Sequence, residues 1–208
     1  MEKEFYLIRH GQTDFNKKGI IQGGGIDSSL NETGRAQAEA FHQYYKQVPF
    51  DLVVTSTLKR TRQTLEPFLD SGIEHYSTAD INEISWGTNE GKSYNDIVRK
   101  TYQEVIGNWQ QGEYEARFEG GESAAELGER VVRFVDYLKH TPAKKVLICS
   151  HGRTIRALIC LLKSLELNQM EHVDHHNTGL FKGMYIPENF IFHLENDTSH
   201  LETLKIKM

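Results

Sequence analysis

The hydrophobic pattern divides the chain into short apolar runs and longer amphipathic stretches that alternate. Phe5 to Ile8 is an apolar run set between charged residues and a glycine, which predicts a buried central strand. Asn31 is placed to cap a helix, in which Ala36, Ala40, Phe41, Tyr44 and Tyr45 recur at helical spacing until Pro49. Asp51–Thr55 reads as a second strand, and Ser56 as the cap of a helix running through Leu58, Leu65, Phe68 and Leu69. Ile73–Tyr76 is a weaker strand, and residues 80–91 form a loop carrying Glu83, Trp86 and Glu90. Ser93-x-x-Asp96 has a capping-box pattern, ahead of a helix face made of Tyr94, Ile97, Val98, Thr101, Tyr102, Val105 and Trp109. Ser123-x-x-Glu126 is a second box, followed by a stripe of Leu127, Val131, Phe134, Val135 and Leu138, and the two helices are expected to pack as a pair. Lys145–Ser150 is another strand, Arg153–Leu165 a helix apolar on more than one side, and Leu180–Ile186 with Phe190–Leu194 an edge hairpin turning through Pro187, Glu188 and Asn189. This order predicts an α/β layer fold with a mainly parallel sheet.

Composition narrows the class. The 208 residues suit one domain over 1–208, with 38% hydrophobic and 25% charged residues and no run apolar enough to span a bilayer. Met1, Glu2 and Lys3 lead directly into the first strand, so the expectation is a cytoplasmic chain without a signal peptide and without membrane contact. Cys149 and Cys160 lie in apolar runs without metal or redox spacing and read as buried small hydrophobes. A net charge of −5 argues against nucleic acid as a partner, so any phosphate site has to be a local basic pocket.

Chemistry gathers where strands end. Arg9 and His10 close the first run, and Gly11, Gln12, Thr13 and Asn16 follow as a turn and a set of hydrogen-bonding side chains. A guanidinium fork, an imidazole and amide donors suit an anion, phosphate first, although one such pair also fits solvated polar residues at a strand end. Arg60 falls just beyond the second strand, and His151-Gly152 ends the third at the start of a helix whose amides face the same way. The loop from Lys17 to Leu30 is rich in glycine around Gln22 and Gly23 and suits either a ligand or a flexible connection. His172, His175 and His176 lie in a polar loop without the cysteines or HExxH pattern of a metal site, and no metal is expected there.

Five segments carry a family resemblance: Leu-Ile-Arg-His-Gly-Gln-Thr at 7–13, Thr-Ser-Thr-Leu-Lys-Arg-Thr-Arg-Gln-Thr at 55–64, Ile-Asn-Glu-Ile-Ser-Trp-Gly at 81–87, Gly-Gly-Glu-Ser at 120–123 and Cys-Ser-His-Gly at 149–152. In this order the chain resembles the histidine phosphatase, or phosphoglycerate mutase-like, superfamily. The resemblance implies a three-layer α/β/α fold and a phosphohistidine intermediate on His10. It implies further that Arg9 and Arg60 clamp the phosphoryl oxygens, that His151 stabilises their charge as an imidazolium, and that Asn16, Gln22 and Gly23 complete the phosphate pocket. Glu83 matches the general acid, a role that asks for a carboxyl kept protonated by burial, with Trp86 as an apolar wall. Neither metal nor cofactor is implied.

Residues 91–123 lack the longer insertion typical of cofactor-dependent mutases, which favours a phosphatase. Residues 19–27 and 83–87 are similar to the fructose-2,6-bisphosphatase-like branch, but Gly120 stands where that branch has basic residues, leaving Arg117 as a substitute by proximity. The expected activity is therefore metal-independent hydrolysis of a small phosphorylated metabolite, a sugar phosphate or bisphosphate. Phosphoglycerate mutase is the alternative, and a non-catalytic phospholigand-binding protein comes third. Homodimer formation is left open.

Overall fold

Strand residues alternate between two faces, and here that alternation feeds two separate cores. The computed structural model describes residues 2–204 apart from 94 and 188. The expected roles of Tyr94, of the Asp96 and Ile97 side chains and of Glu188 therefore lie outside the described residues. In chain order the elements are β1 (Lys3–Arg9), α1 (Asp14–Lys17), α2 (Glu32–Tyr45), β2 (Leu52–Thr55), α3 (Lys59–Leu69), β3 (Glu74–Ser77), α4 (Asp96–Gln110), α5 (Ala124–His140), β4 (Lys145–Ser150), α6 (Gly152–Leu162), β5 (Leu180–Ile186) and β6 (Asn189–Asp197). The strands form one sheet in the order β3-β2-β4-β1-β5-β6. β1, β2, β3 and β4 run parallel, while β5 pairs antiparallel with β1, and β6 antiparallel with β5.

On one face Tyr6, Ile8, Val53, Leu147 and Cys149 pack against Phe41 and Tyr45 of α2 and Leu65 and Phe68 of α3. On the other, Phe5, Leu7, Val54, Val146 and Ile148 share a core with Val105 and Trp109 of α4, Phe134 of α5 and Leu158 of α6. The result is the three-layer α/β/α arrangement. β4 lies between β1 and β2, so the carboxyl ends of all three open at the same edge, where ligands bind in such sheets. Both cysteines are buried, and desolvation raises their thiols, Cys160 to about 11.

Capping follows the sequence at two helices. Asn31 accepts from Gly34 N (2.9 Å), and Ser123 and Glu126 close a full capping box on α5. Elsewhere the structure differs. Asn95 caps α4 by accepting from Val98 N, while Ser93 bridges to Ile20 instead. α3 begins at Lys59 without a side-chain cap, because the Ser56 hydroxyl is drawn to other partners. Within the expected loop after β1, Thr13 and Asn16 form a capping box that turns residues 14–17 into the single-turn α1. Among the described residues α5 packs chiefly on α6 and α4 on the Leu167–His172 turn, and the expected α4–α5 pair meets through the core they share. Among the described residues no helix is long and apolar enough to cross a membrane.

Candidate active site

His10 follows β1 directly, and its backbone N–H extends the β1–β4 ladder to Ser150 O (3.0 Å). The turn after it demands glycine: a Cβ on Gly11 would lie 2.5 Å from Gly34 O, and one on Gly34 would lie 2.1 Å from Gln12 O. That close approach seats the loop on the start of α2. The His10 ring is buried, and its Nδ1 lies 2.7 Å from Gly11 O. A carbonyl only accepts, so Nδ1 carries the proton and Nε2 keeps its lone pair. Burial, then Arg60 and Arg9, push this imidazole well below its usual value, so it is neutral.

Two arginines flank it, Arg60 buried and Arg9 half-buried. Arg60, at 0% exposure, donates through Nε to His151 Nδ1 (3.1 Å), through Nη1 to Ile26 O (2.7 Å) and through Nη2 to Gly23 O (3.3 Å). Burial lowers it to about 10, which leaves it charged at neutral pH. The Gln22 amide fits its neighbours when its nitrogen donates to Thr13 Oγ1 (2.7 Å) and its oxygen accepts from Ser28 Oγ (2.7 Å) and Arg60 Nη1 (3.0 Å). Gln22 and Gly23 thus brace Arg60. Gly23, expected at the substrate, contributes its carbonyl from behind the guanidinium. Arg9 lies across the pocket with Nη1 3.3 Å from His175 Nδ1, while its buried Nε has no hydrogen-bond partner. An orphan cationic donor beside a neutral imidazole is a ready place for an anionic oxygen.

His151 lies beside His10, with ring centroids 5.2 Å apart and planes tilted at 57°. Its Nδ1 accepts from Arg60, so Nε2 bears the proton and donates to Ser56 Oγ (2.8 Å). Burial, with Arg60 next, drives it well below the usual imidazole range. The imidazolium expected here is corrected to a neutral ring, because a cation already occupies one side of it.

Glu83 sits at the start of α6. Its Oε1 accepts from Ile84 N (3.0 Å), Thr154 N (3.2 Å) and Thr154 Oγ1 (3.2 Å), and Oε2 from Arg153 N (3.2 Å). The expected Trp86 lines the same cavity as Glu83, and a ring of donors at a positive helix end, which the sequence did not announce, holds the carboxyl beside it. Glu83 lines one cavity with Arg9, His175, Arg153, Arg156 and Glu171. Asn16 lines a second, adjoining cavity with Arg9, Gln12, Gln22 and Asn177. Arg117 lines neither cavity: exposed in the loop ahead of α5, it is paired with Glu126 (2.6 Å) and Glu115 (3.0 Å) in place of the expected contact with substrate. Glu126 holds it there through its own place in the capping box.

Several site residues escaped the sequence reading. Asn177 Nδ2 donates to His10 O (2.8 Å), and Thr64 Oγ1 accepts from Gly11 N (3.0 Å). Arg153 is buried over the Trp86 and Trp109 rings (5.7 and 5.6 Å), bonds Tyr102 OH (2.6 Å) and pairs with Glu171, which also binds Arg156 (2.7 Å). His175 enters the site alone, since His176 faces Asn196 Nδ2 (2.8 Å), and no cluster of metal-ligating side chains occurs among the described residues. The signal was indirect: β5 runs antiparallel to β1 with Leu180 opposite Ile8, which brings residues 175–179 to the end of β1.

A family model described as histidine phosphatase superfamily (branch 1) matches residues 5–198. A 2,3-bisphosphoglycerate-dependent phosphoglycerate mutase from Bartonella henselae is 32% identical over 181 residues, covering 82% of this chain and 86% of that protein. Among solved structures, an alpha-ribazole phosphatase from Shigella flexneri superposes with a TM-score of 0.82 at 26% identity, covering 93% of this chain and 96% of the other. A phosphoserine phosphatase variant from Entamoeba histolytica, in complex with phosphoserine, does so with a TM-score of 0.79 at 27% identity, covering 96% and 99%.

Proposed function

The chain belongs to the histidine phosphatase superfamily, branch 1, and from that premise we propose that it is a phosphomonoesterase working through a phosphohistidine on His10. The observation that carries this reading is the His10 ring itself. Its Nδ1–H is tied to Gly11 O, and the ring is buried and neutral, so the Nε2 lone pair is available to phosphorus at neutral pH.

In the first step Nε2 attacks phosphorus in line with the departing oxygen. The N–P bond forms, the P–O bond breaks, and Glu83 delivers a proton to the leaving alkoxide. Arg9, through its unpartnered Nε, and Arg60 hold the non-bridging oxygens, and the His151 Nε2–H, kept in place by Ser56 Oγ, is shared with a third. In the second step Glu83 takes a proton from water, the oxygen attacks phosphorus, and the N–P bond breaks to release inorganic phosphate and restore His10. Every group in this cycle belongs to the chain, and no metal takes part.

The substrate is a small phosphorylated metabolite. With Arg117 bound to Glu126 and Glu115, the support for a bisphosphate falls away. A mutase reading keeps the weight of the 32% identity to a phosphoglycerate mutase, and differs only in which hydroxyl receives the phosphoryl group. The test is phosphate release with chelator present throughout, alongside trapping of the phosphoenzyme, for the intact protein and His10→Ala. Release and histidine labelling that both vanish in His10→Ala support the proposal. Labelling that persists in that variant overturns the nucleophile, and isomerisation primed by a bisphosphate without net release turns the reading to the mutase.

A further inference from the structure

The two adjoining cavities differ in charge, and the difference bears on the half of the ester that leaves. The larger, about 550 Å³, is within the usual range for a small-molecule site. Its walls include Phe15, Ile20, Ile21, Trp86 and Tyr102, and among the described residues Arg9 is the sole charged side chain that lines it. Phe15, Ile20 and Tyr102 are half-buried, so apolar and aromatic surface stays open to a guest. Arg9 is already committed to the phosphoryl group in the reading above. Without a further cation, a second phosphate placed here would lose its hydration and gain no counter-charge.

The smaller cavity, about 260 Å³, offers no better home for a second phosphate. Its additional cations, Arg153 and Arg156, both bind Glu171, and the Glu83 carboxyl lines the same wall. A dianion there would have to displace Glu171 from both arginines.

We propose that the alcohol half of the substrate is uncharged and carries a flat aromatic or heteroaromatic group, of the size of a nucleoside base, seated in the larger cavity against Phe15, Ile20, Trp86 and Tyr102. Gln12 and Asn177 line the same cavity and supply amide groups for the polar edge of such a group. This rests on the phosphomonoesterase reading and narrows it to one class of ester.

Pairs of substrates that share a primary phosphate ester isolate the effect. Adenosine 5′-monophosphate carries adenine where ribose 5-phosphate has its anomeric hydroxyl, and fructose 1,6-bisphosphate carries a second phosphate where fructose 6-phosphate has the C1 hydroxyl. Each is measured as kcat/KM, or as Ki against p-nitrophenyl phosphate where turnover is slow. Stacking of one base on aromatic side chains predicts an advantage of about 10- to 100-fold for the nucleotide over ribose 5-phosphate. The second phosphate is expected to bring no gain. Phe15→Ala should narrow the nucleotide ratio, with the unfolding midpoint measured in parallel to show that the variant folds. A ratio near one, or a clear preference for the bisphosphate, overturns the proposal while p-nitrophenyl phosphate is still hydrolysed. Absence of any His10-dependent hydrolysis, p-nitrophenyl phosphate included, overturns the phosphomonoesterase reading and this one with it.

Discussion

Ser56→Ala is the substitution that the site's geometry makes most informative. Ser56 lies at 1% exposure, and its hydroxyl accepts from His151 Nε2 at 2.8 Å and from Leu58 N at 3.1 Å and meets Thr61 Oγ1 at 2.8 Å. Removing it leaves the His151 N–H and the Leu58 N–H without partners in a buried setting. Thr61 is not orphaned, because it still donates to Leu58 O at 2.9 Å. An unsatisfied buried donor costs about 1–3 kcal/mol, and the start of a helix admits some water, so the loss should be roughly 2–4 kcal/mol. That is a large share of a typical domain's stability of about 5–15 kcal/mol. The His151 ring would also be held by Arg60 alone, and a ring free to tilt should lower kcat by about tenfold or more. Urea unfolding followed by tryptophan fluorescence gives the first quantity, since Trp86 and Trp109 both sit in the core. His10-dependent phosphate release gives the second. Ser77→Ala serves as control, as it removes one bond to the Ser56 carbonyl (3.2 Å) from an exposed strand. If Ser56→Ala costs less than about 0.5 kcal/mol, the scatter of ordinary surface changes, and turnover is unchanged, the argument that Ser56 fixes His151 is refuted.

Three further outcomes are expected. Glu83→Gln should slow hydrolysis of alkyl phosphates by about 10²–10⁴-fold and of p-nitrophenyl phosphate far less, because the better leaving group needs no proton; equal losses for both would remove the acid role. Burial with Arg60 holds His10 and His151 well below 6.5, and burial with Arg9 takes His175 to about 2, so below about pH 6.5 the unfolded chain binds protons that the native chain refuses. Stability should therefore be complete above about pH 6.5 and fall on acidification by about 1.4 kcal/mol per pH unit for each imidazole, and a flat urea-unfolding profile from pH 7 to 5 would contradict these assignments. Arg117→Ala should leave KM unchanged for monophosphates and bisphosphates alike, whereas a tenfold rise for bisphosphates would return Arg117 to the site.

Much of the architecture was written in short-range pattern. The apolar run at Phe5–Ile8, the Asn31 cap and the Ser123–Glu126 box act within a few residues, and each formed where its own sequence required. Arg9, His10, Arg60 and His151 were legible for the same reason: each stands at the end of a strand or the start of a helix, and parallel strands deliver such ends to one edge. What the chain could not announce was partnership across the fold. Ser56 reads locally as a helix cap, yet its hydroxyl turns to a histidine 95 residues away. Glu83 reads as a loop carboxylate beside a tryptophan, yet it is gripped by the first amides of α6. His175 and Asn177 read as part of a polar loop, and reach the site because β5 pairs with β1 in one particular register. Arg117 lies near the right motif in sequence and is taken by Glu126 in space. The sequence by itself determined the elements, their order and the strand-end residues, since periodicity and capping are local energies. Only the tertiary structure decided which groups share a proton, which cation meets which carboxylate and which cavity carries charge, since those depend on strand register and on burial that no local window contains.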